Sequence, residues 1–261
     1  MKVAVVNFSG NVGKSTVARY LLQRHIKSDV FSIESLNKSQ FDSVTDSEVT
    51  TLKAKQFSAL QEAMLLNDSL IVDVGSSNIE ELMNQMRSYS GSQHDFDYFV
   101  VPVIAKDKQI SDTLSTIGTL IQNFDIEPKK IKVVYNMVET PESVDFEFSK
   151  IKMVFDKLKV KGNTAILLST DYYNKVETLI GNSKYESKHK SKLNNLDFMA
   201  DNVETFQKEL SDIRASIKNT SDDSAKQKLT NEAREIAQLV QLARLAITVR
   251  NNVDDAYSVL F

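Results

Sequence analysis

The chain has 261 residues, of which 41% are hydrophobic and 26% charged, with a formal net charge of −3 and no cysteine. That balance belongs to an ordinary globular protein long enough to bury a core, and it excludes a disulfide framework, thiolate chemistry and whole-molecule attraction to nucleic acid. No apolar run reaches the length of a membrane span and the first residues lack a signal pattern, so a cytoplasmic location is expected.

The first predicted element is the apolar run Val3-Ala4-Val5-Val6. The loop Asn7-Phe8-Ser9-Gly10-Asn11-Val12-Gly13-Lys14-Ser15-Thr16 follows it directly, and helix-like spacing begins at Val17, Ala18, Tyr20, Leu21 and Leu22. A buried strand, a glycine-containing turn closing on Gly-Lys-Ser and a helix form the context of a phosphate-binding loop. Backbone N–H groups at a helix start meet the negative charges of a triphosphate, provided no bulky side chain intervenes, which is the use of Gly10 and Gly13. Residues 10–16, with Asn11 and Val12 among them, are therefore the candidate nucleotide cradle. The Lys14 ammonium suits the space between β- and γ-phosphates, the Ser15 hydroxyl is a candidate ligand of Mg²⁺, and Thr16 is placed to reach the α-phosphate. Phe8 departs from the usual pattern, which has a small residue there.

Further strands are expected at 30–33, 69–74, 97–103, 130–136 and 163–169, after a first at 2–8, with helix-period stretches between most of them. Ile79, Leu82, Met83 and Met86 share one helical face, and Ile110, Leu114, Ile117, Leu120 and Ile121 another; both read as core. The fold class predicted is α/β, a doubly wound, mostly parallel sheet with its ligand chemistry at the carboxyl ends of the strands. His25, His94 and His189 are far apart in sequence and lack metal-ligand spacing.

The strand at 69–74 ends in Asp73-Val74-Gly75. An acidic residue at a strand end holds the Mg²⁺ shell in phosphate-loop enzymes, and a glycine two residues on can offer its N–H to a γ-phosphate, so Asp73 and Gly75 are candidates for these roles. Asn136 closes the strand Ile131-Lys132-Val133-Val134-Tyr135. Its amide carries a donor and an acceptor and can read a base edge, or it can simply form a turn.

Beyond residue 180 the composition changes. Residues 181–195 are polar and carry Lys184, Lys188, Lys190 and Lys192, a solvated linker or a basic loop for direct DNA contact. Leu196, Met199, Val203, Phe206, Leu210, Ile213 and Ile217 then recur at alternating spacings of three and four, as one helical seam. The polar stretch 218–224 suits a turn and helix N-cap, and a second helix is expected from about Ala225 to Val253, with Leu229, Ala233, Ile236, Val240, Ala243 and Ile247 on its seam. Leu239, Leu242, Leu245, Ala246 and Val249 widen that helix's apolar face, which must dock within the chain or meet a partner. The expected domains are 1–180 for nucleotide binding, a 181–195 linker and a 196–261 helical hairpin.

Asn7 to Thr16, together with Asp73-Val74-Gly75, Asp97 to Pro102, Asp112-Thr113 and Val134 to Met137, resembles the partition and cell-division ATPases of the ParA/MinD class. The resemblance covers roughly residues 1–180. It implies a switch that binds ATP and Mg²⁺, forms a homodimer, hydrolyses ATP slowly with Lys14 and Asp73 as catalytic residues, and works with a DNA-binding partner protein in keeping or transferring a plasmid. Two departures stand out. The class carries a signature lysine five residues before the loop lysine, and that position is Ser9; without that cation to stabilise the transition state, weak hydrolysis is expected. The class also orients the attacking water with an aspartate after the second strand, where Glu34 is the candidate here. The alternatives are a phosphate-transferring or ligating enzyme for a small metabolite, and a nucleotide-binding module with negligible hydrolysis.

Overall fold

A computed structural model describes residues 1–33, 49–52, 57–158, 163–182 and 188–261. The chain divides into two compact units, Met1–Ser169 with Asn252–Phe261, and Thr170–Asn251.

The first unit is built on a seven-stranded sheet. Its strands are β1 (Lys2–Val5), β2 (Val30–Ile33), β3 (Val49–Leu52), β4 (Leu70–Val74), β5 (Tyr98–Val103), β6 (Ile131–Val138) and β7 (Thr164–Leu168), in the order β3-β2-β4-β1-β5-β6-β7. Every neighbouring pair is parallel. Parallel strands require crossovers, and these contain α1 (14–26), α2 (Phe57–Leu66), α3 (Ile79–Ser88), α4 (Asp107–Phe124) and α5 (Ser149–Lys157). The doubly wound α/β class is thus as expected, and the apolar runs became strands because helices bury both faces of the sheet. Strand β3 was not anticipated. Val49-Thr50-Thr51-Leu52 offers no continuous apolar run, and it pairs with β2 alone, at the sheet's edge.

Val3, Ala4 and Val5 of β1 are wholly buried, as are Ile79 on α3 and Leu120 on α4. Full burial of the valine, isoleucine and leucine side chains contributes roughly 1.5–3 kcal/mol each, so the central strands form a stiff frame for whatever their carboxyl ends carry. Helix α1 is unusual: Val17–Gln23 has π-helical spacing between short α-helical ends at Lys14–Thr16 and Arg24–Ile26. π-Helical turns are rare, and they are frequent at functional sites.

Residues 252–261 complete this unit. The Asn252 side chain accepts from Leu168 N at 2.8 Å and donates to Ile166 O at 3.0 Å, pairing with the open edge of β7 as a neighbouring strand would. Asp254 forms an ion pair with Arg24 and lies 2.9 Å from His25 Nε2, while Tyr257 stacks on the His25 ring at 4.1 Å. Hydrogen bonding from the Arg24 guanidinium, with a smaller contribution from His25, holds the Asp254 carboxyl below the usual carboxylate range.

The second unit is helical. It contains α6 (Tyr172–Gly181), α7 (Leu196–Asp201), α8 (Val203–Asn219) and most of α9 (Asp223–Leu260). The seam expected on one continuous helix is interrupted at Asn202 between α7 and α8. Asn195 caps α7 by accepting from Phe198 N at 2.9 Å. Asp222 caps α9 in the same way, its Oδ2 2.7 Å from Ala225 N. Two long helices, α8 and α9, stand where the hairpin is expected. The broad apolar face of α9 is real, since Leu239, Leu242, Ala246 and Val249 are buried. Ile247 departs from its expected seam position, being 38% exposed, because the buried face of the helix runs through Leu239, Leu242 and Ala246, to one side of that seam. Among the described residues no helix is long and apolar enough to cross a membrane.

Candidate functional site

Strand β1 lies between β4 and β5, and its last residue, Val5, is in register with Asp73 on one side and Val100 on the other. The chain leaves β1 at the carboxyl end of the central strands, where doubly wound sheets place their ligands. Two left-handed residues shape the loop that follows, Asn11 with φ 57° and Gly13 with φ 86°. Asparagine is among the side chains that tolerate this region best. Gly13 has no substitute, because a Cβ there would lie 2.1 Å from Asn136 Nδ2. Gly10 is tight as well, with 3.3 Å from a built Cβ to Ser76 Oγ. The Gly13 carbonyl accepts from Val17 N at 2.9 Å and starts α1.

The loop brings three predicted residues together. Lys14 is buried, with Nζ 2.7 Å from Ser9 O and 3.3 Å from Asn7 O. The exposed Ser15 offers its hydroxyl to the Asp73 carboxylate. Asp73 is only 6% exposed, and burial pushes its carboxyl above the usual range against the opposing pull of the Ser15 hydroxyl and the Lys14 and Arg19 cations. The consequence for stability has a definite sign. A carboxyl raised in the folded state favours folding while protonated, and that contribution is lost as pH rises through the folded-state value. Asp73→Asn is therefore expected to raise the melting temperature of the ligand-free protein at neutral pH, with the gain disappearing below pH 4. A thermal melt series against pH checks it; a lower melting temperature for the variant at neutral pH would contradict it.

The remaining candidates sit around this centre. Asn136, at β6, donates from Nδ2 to Val12 O at 2.9 Å, so it is joined to the loop backbone. The Gly75 N–H donates to Ile33 O at 2.9 Å. Thr16 is half-buried in the first turn of α1. Glu34 and Lys184 lie outside the described residues. The three other lysines of the basic stretch are engaged within their own unit: Lys188 with Glu209 at 2.9 Å, Lys190 with Asn182 O at 2.7 Å, and Lys192 4.8 Å above the Phe198 ring.

A buried polar network beneath the loop was not anticipated. Asn7 Nδ2 donates to Pro102 O at 2.8 Å and to Thr113 Oγ1 at 2.7 Å, while its Oδ1 accepts from Ser9 N at 2.8 Å. Phe8 N donates to Thr116 Oγ1 at 3.1 Å. Besides the place of Asn7 and Asp112-Thr113 in the resemblance, the signal the sequence offered is the spacing of Thr113 and Thr116, which puts both hydroxyls on one face of α4.

No protein-family model matches the chain, and no curated protein matches it in sequence. Among solved structures, a plasmid partition protein of Borrelia burgdorferi bound to AMPPNP is similar at 15% identity, covering 74% of this chain and 95% of its own, with a TM-score of 0.45. The MinC:MinD cell division complex of Aquifex aeolicus aligns at 15% identity over 66% of this chain and 83% of the other, with a TM-score of 0.43. The pnob8 ParA structure aligns at 11% identity over 97% and 99%, with a TM-score of 0.45.

Proposed function

We propose that the chain is a nucleotide-dependent switch that binds ATP with Mg²⁺ at residues 10–16 and Asp73. The observation that carries this reading is the convergence of Lys14, Ser15 and Asp73 at a loop whose Gly13 admits no side chain. The donor set fits: Ser15 Oγ and the Asp73 carboxylate are hard oxygen donors of the kind Mg²⁺ takes, and Lys14 carries the matching charge for a polyphosphate. The ion would neutralise charge on the β- and γ-phosphates. Lys14 binds and orients the phosphates, the loop backbone cradles them, and Glu34 orients the attacking water. Gly75 can reach a γ-phosphate only by exchanging its bond to Ile33. With its amide nitrogen on Val12, Asn136 keeps its carbonyl oxygen as an acceptor for a donor on the base, such as the exocyclic amine of adenine.

Hydrolysis is slow in this reading. Ser9 stands where the ParA/MinD class has its signature lysine; it is buried, with its N–H on Asn7 and its carbonyl on Lys14, and it supplies no charge to a neighbouring subunit. The switch acts in the cytoplasm as a homodimer, in plasmid stability, partition or conjugation, in line with the resemblance to the plasmid stability protein StbB. DNA recognition falls to a DNA-binding partner protein, in line with that resemblance.

Binding and turnover by the purified full-length chain test this. ATP is expected to bind more tightly than GTP, with slow turnover that a DNA-bound partner raises. Tighter GTP binding would reverse the base assignment. Turnover strictly dependent on a small metabolite would replace the switch with a phosphate-transfer enzyme.

A further inference from the structure

Resting on the nucleotide reading above, we infer that helix α4 sets the geometry of the phosphate loop through Asn7, with Thr113 and Thr116 as positioning residues. The hydrogen-bond polarity of this network is determined by its own members. Thr113 Oγ1 donates to Gln109 O at 2.7 Å and Thr116 Oγ1 to Asp112 O at 2.8 Å, so each hydroxyl has spent its only proton on the preceding helical turn. Each can therefore only accept from the loop. Thr113 takes an Asn7 amide proton and Thr116 takes the Phe8 backbone N–H. Pro102 O, a carbonyl, likewise can only accept, which fixes the Asn7 amide with nitrogen toward β5 and α4 and oxygen toward Ser9 N.

This orientation matters to the cation. The two backbone carbonyls that hold Lys14 Nζ belong to Asn7 and Ser9, the two residues the Asn7 side chain ties together. Asn7 and Thr113 are fully buried, so no water replaces a lost partner. None of these residues touches the reacting phosphates in the reading above; they act by holding the loop and the Lys14 ammonium in place.

Thr113→Val keeps the side chain's shape and removes its acceptor, while Thr113→Ser keeps the hydroxyl. Dissociation constants for ATP and ADP, measured well below the melting temperature of each full-length variant, are expected to weaken by up to about tenfold in Thr113→Val, the full size of one lost buried hydrogen bond when the released loop must be reordered by the ligand, and to stay within about twofold of the unsubstituted protein in Thr113→Ser. Asn7→Asp, nearly isosteric, sets an oxygen against Pro102 O and is expected to weaken binding further. A purely structural role would lower the melting temperature and leave the dissociation constants unchanged, which overturns the inference. Equal weakening in the valine and serine variants overturns it too, since the hydroxyl would then be irrelevant. If Thr113→Val does not fold, Thr116→Val carries the same test through Phe8 N. Failure of the unsubstituted protein to bind ATP would sink this inference together with the nucleotide reading, whereas normal binding by both valine variants removes the inference alone.

Discussion

Replacing Lys14 with alanine is expected to weaken ATP binding by roughly a hundredfold, since hydrogen bonds to a charged group contribute about 1.5–3 kcal/mol each and this ammonium meets phosphate in a buried setting. The ligand-free fold should survive. Removing the ammonium takes a desolvated charge out of the interior, which offsets the loss of its bonds to Ser9 O and Asn7 O. Calorimetric titration of the folded variant is the measurement; affinity within threefold of the original would place the nucleotide somewhere other than this loop.

The second large effect is expected at Gly13. Its left-handed φ of 86° already disfavours any side chain, and a methyl group at 2.1 Å from Asn136 Nδ2 adds a collision that the surroundings cannot relieve cheaply, because that nitrogen is buried and bonded to Val12 O. Gly13→Ala should cost about 2–5 kcal/mol of stability, combining left-handed strain of about 1–2 kcal/mol with overpacking of about 1–3 kcal/mol. The two contributions separate in a double-mutant cycle. With Asn136→Ala in the background the collision disappears, and Gly13→Ala should then cost only the backbone strain. A coupling free energy near zero, by denaturant unfolding of all four proteins, would show that Asn136 does not pack on Gly13.

Most of the sheet could be read from sequence because strands buried on both faces leave unbroken apolar runs, as in Phe99-Val100-Val101 or Leu70-Ile71-Val72. The loop was legible for a different reason: a glycine before Gly-Lys-Ser, between a strand and a helix, is a local pattern. Asp73 joined it because parallel pairing of β1 and β4 sets Val5 beside it. What stayed hidden depends on distant register. That Asn136 bonds Val12 follows from where β6 ends relative to the loop, and Thr116 looks in sequence like any threonine of an amphipathic helix. Strand β3 was missed because Thr50 and Thr51 interrupt its apolar character, and the break at Asn202 because the three-and-four spacing of seam residues runs straight through it.

The placement of residues 252–261 in the same unit as 1–169 bears on how the molecule is made. When Leu168 leaves the ribosome, the β7 edge has neither Asn252 partner, and the end of α1 lacks Asp254 and Tyr257. At ordinary translation rates the intervening stretch 170–251 takes roughly 5–15 s to synthesise. For that interval the nascent sheet has an open parallel edge, the kind of surface that recruits other strands. Completion of the first unit is thus delayed until the helical unit has been made, so a chain interrupted anywhere in α9 before Asn252 leaves the sheet unfinished as well as the helical unit.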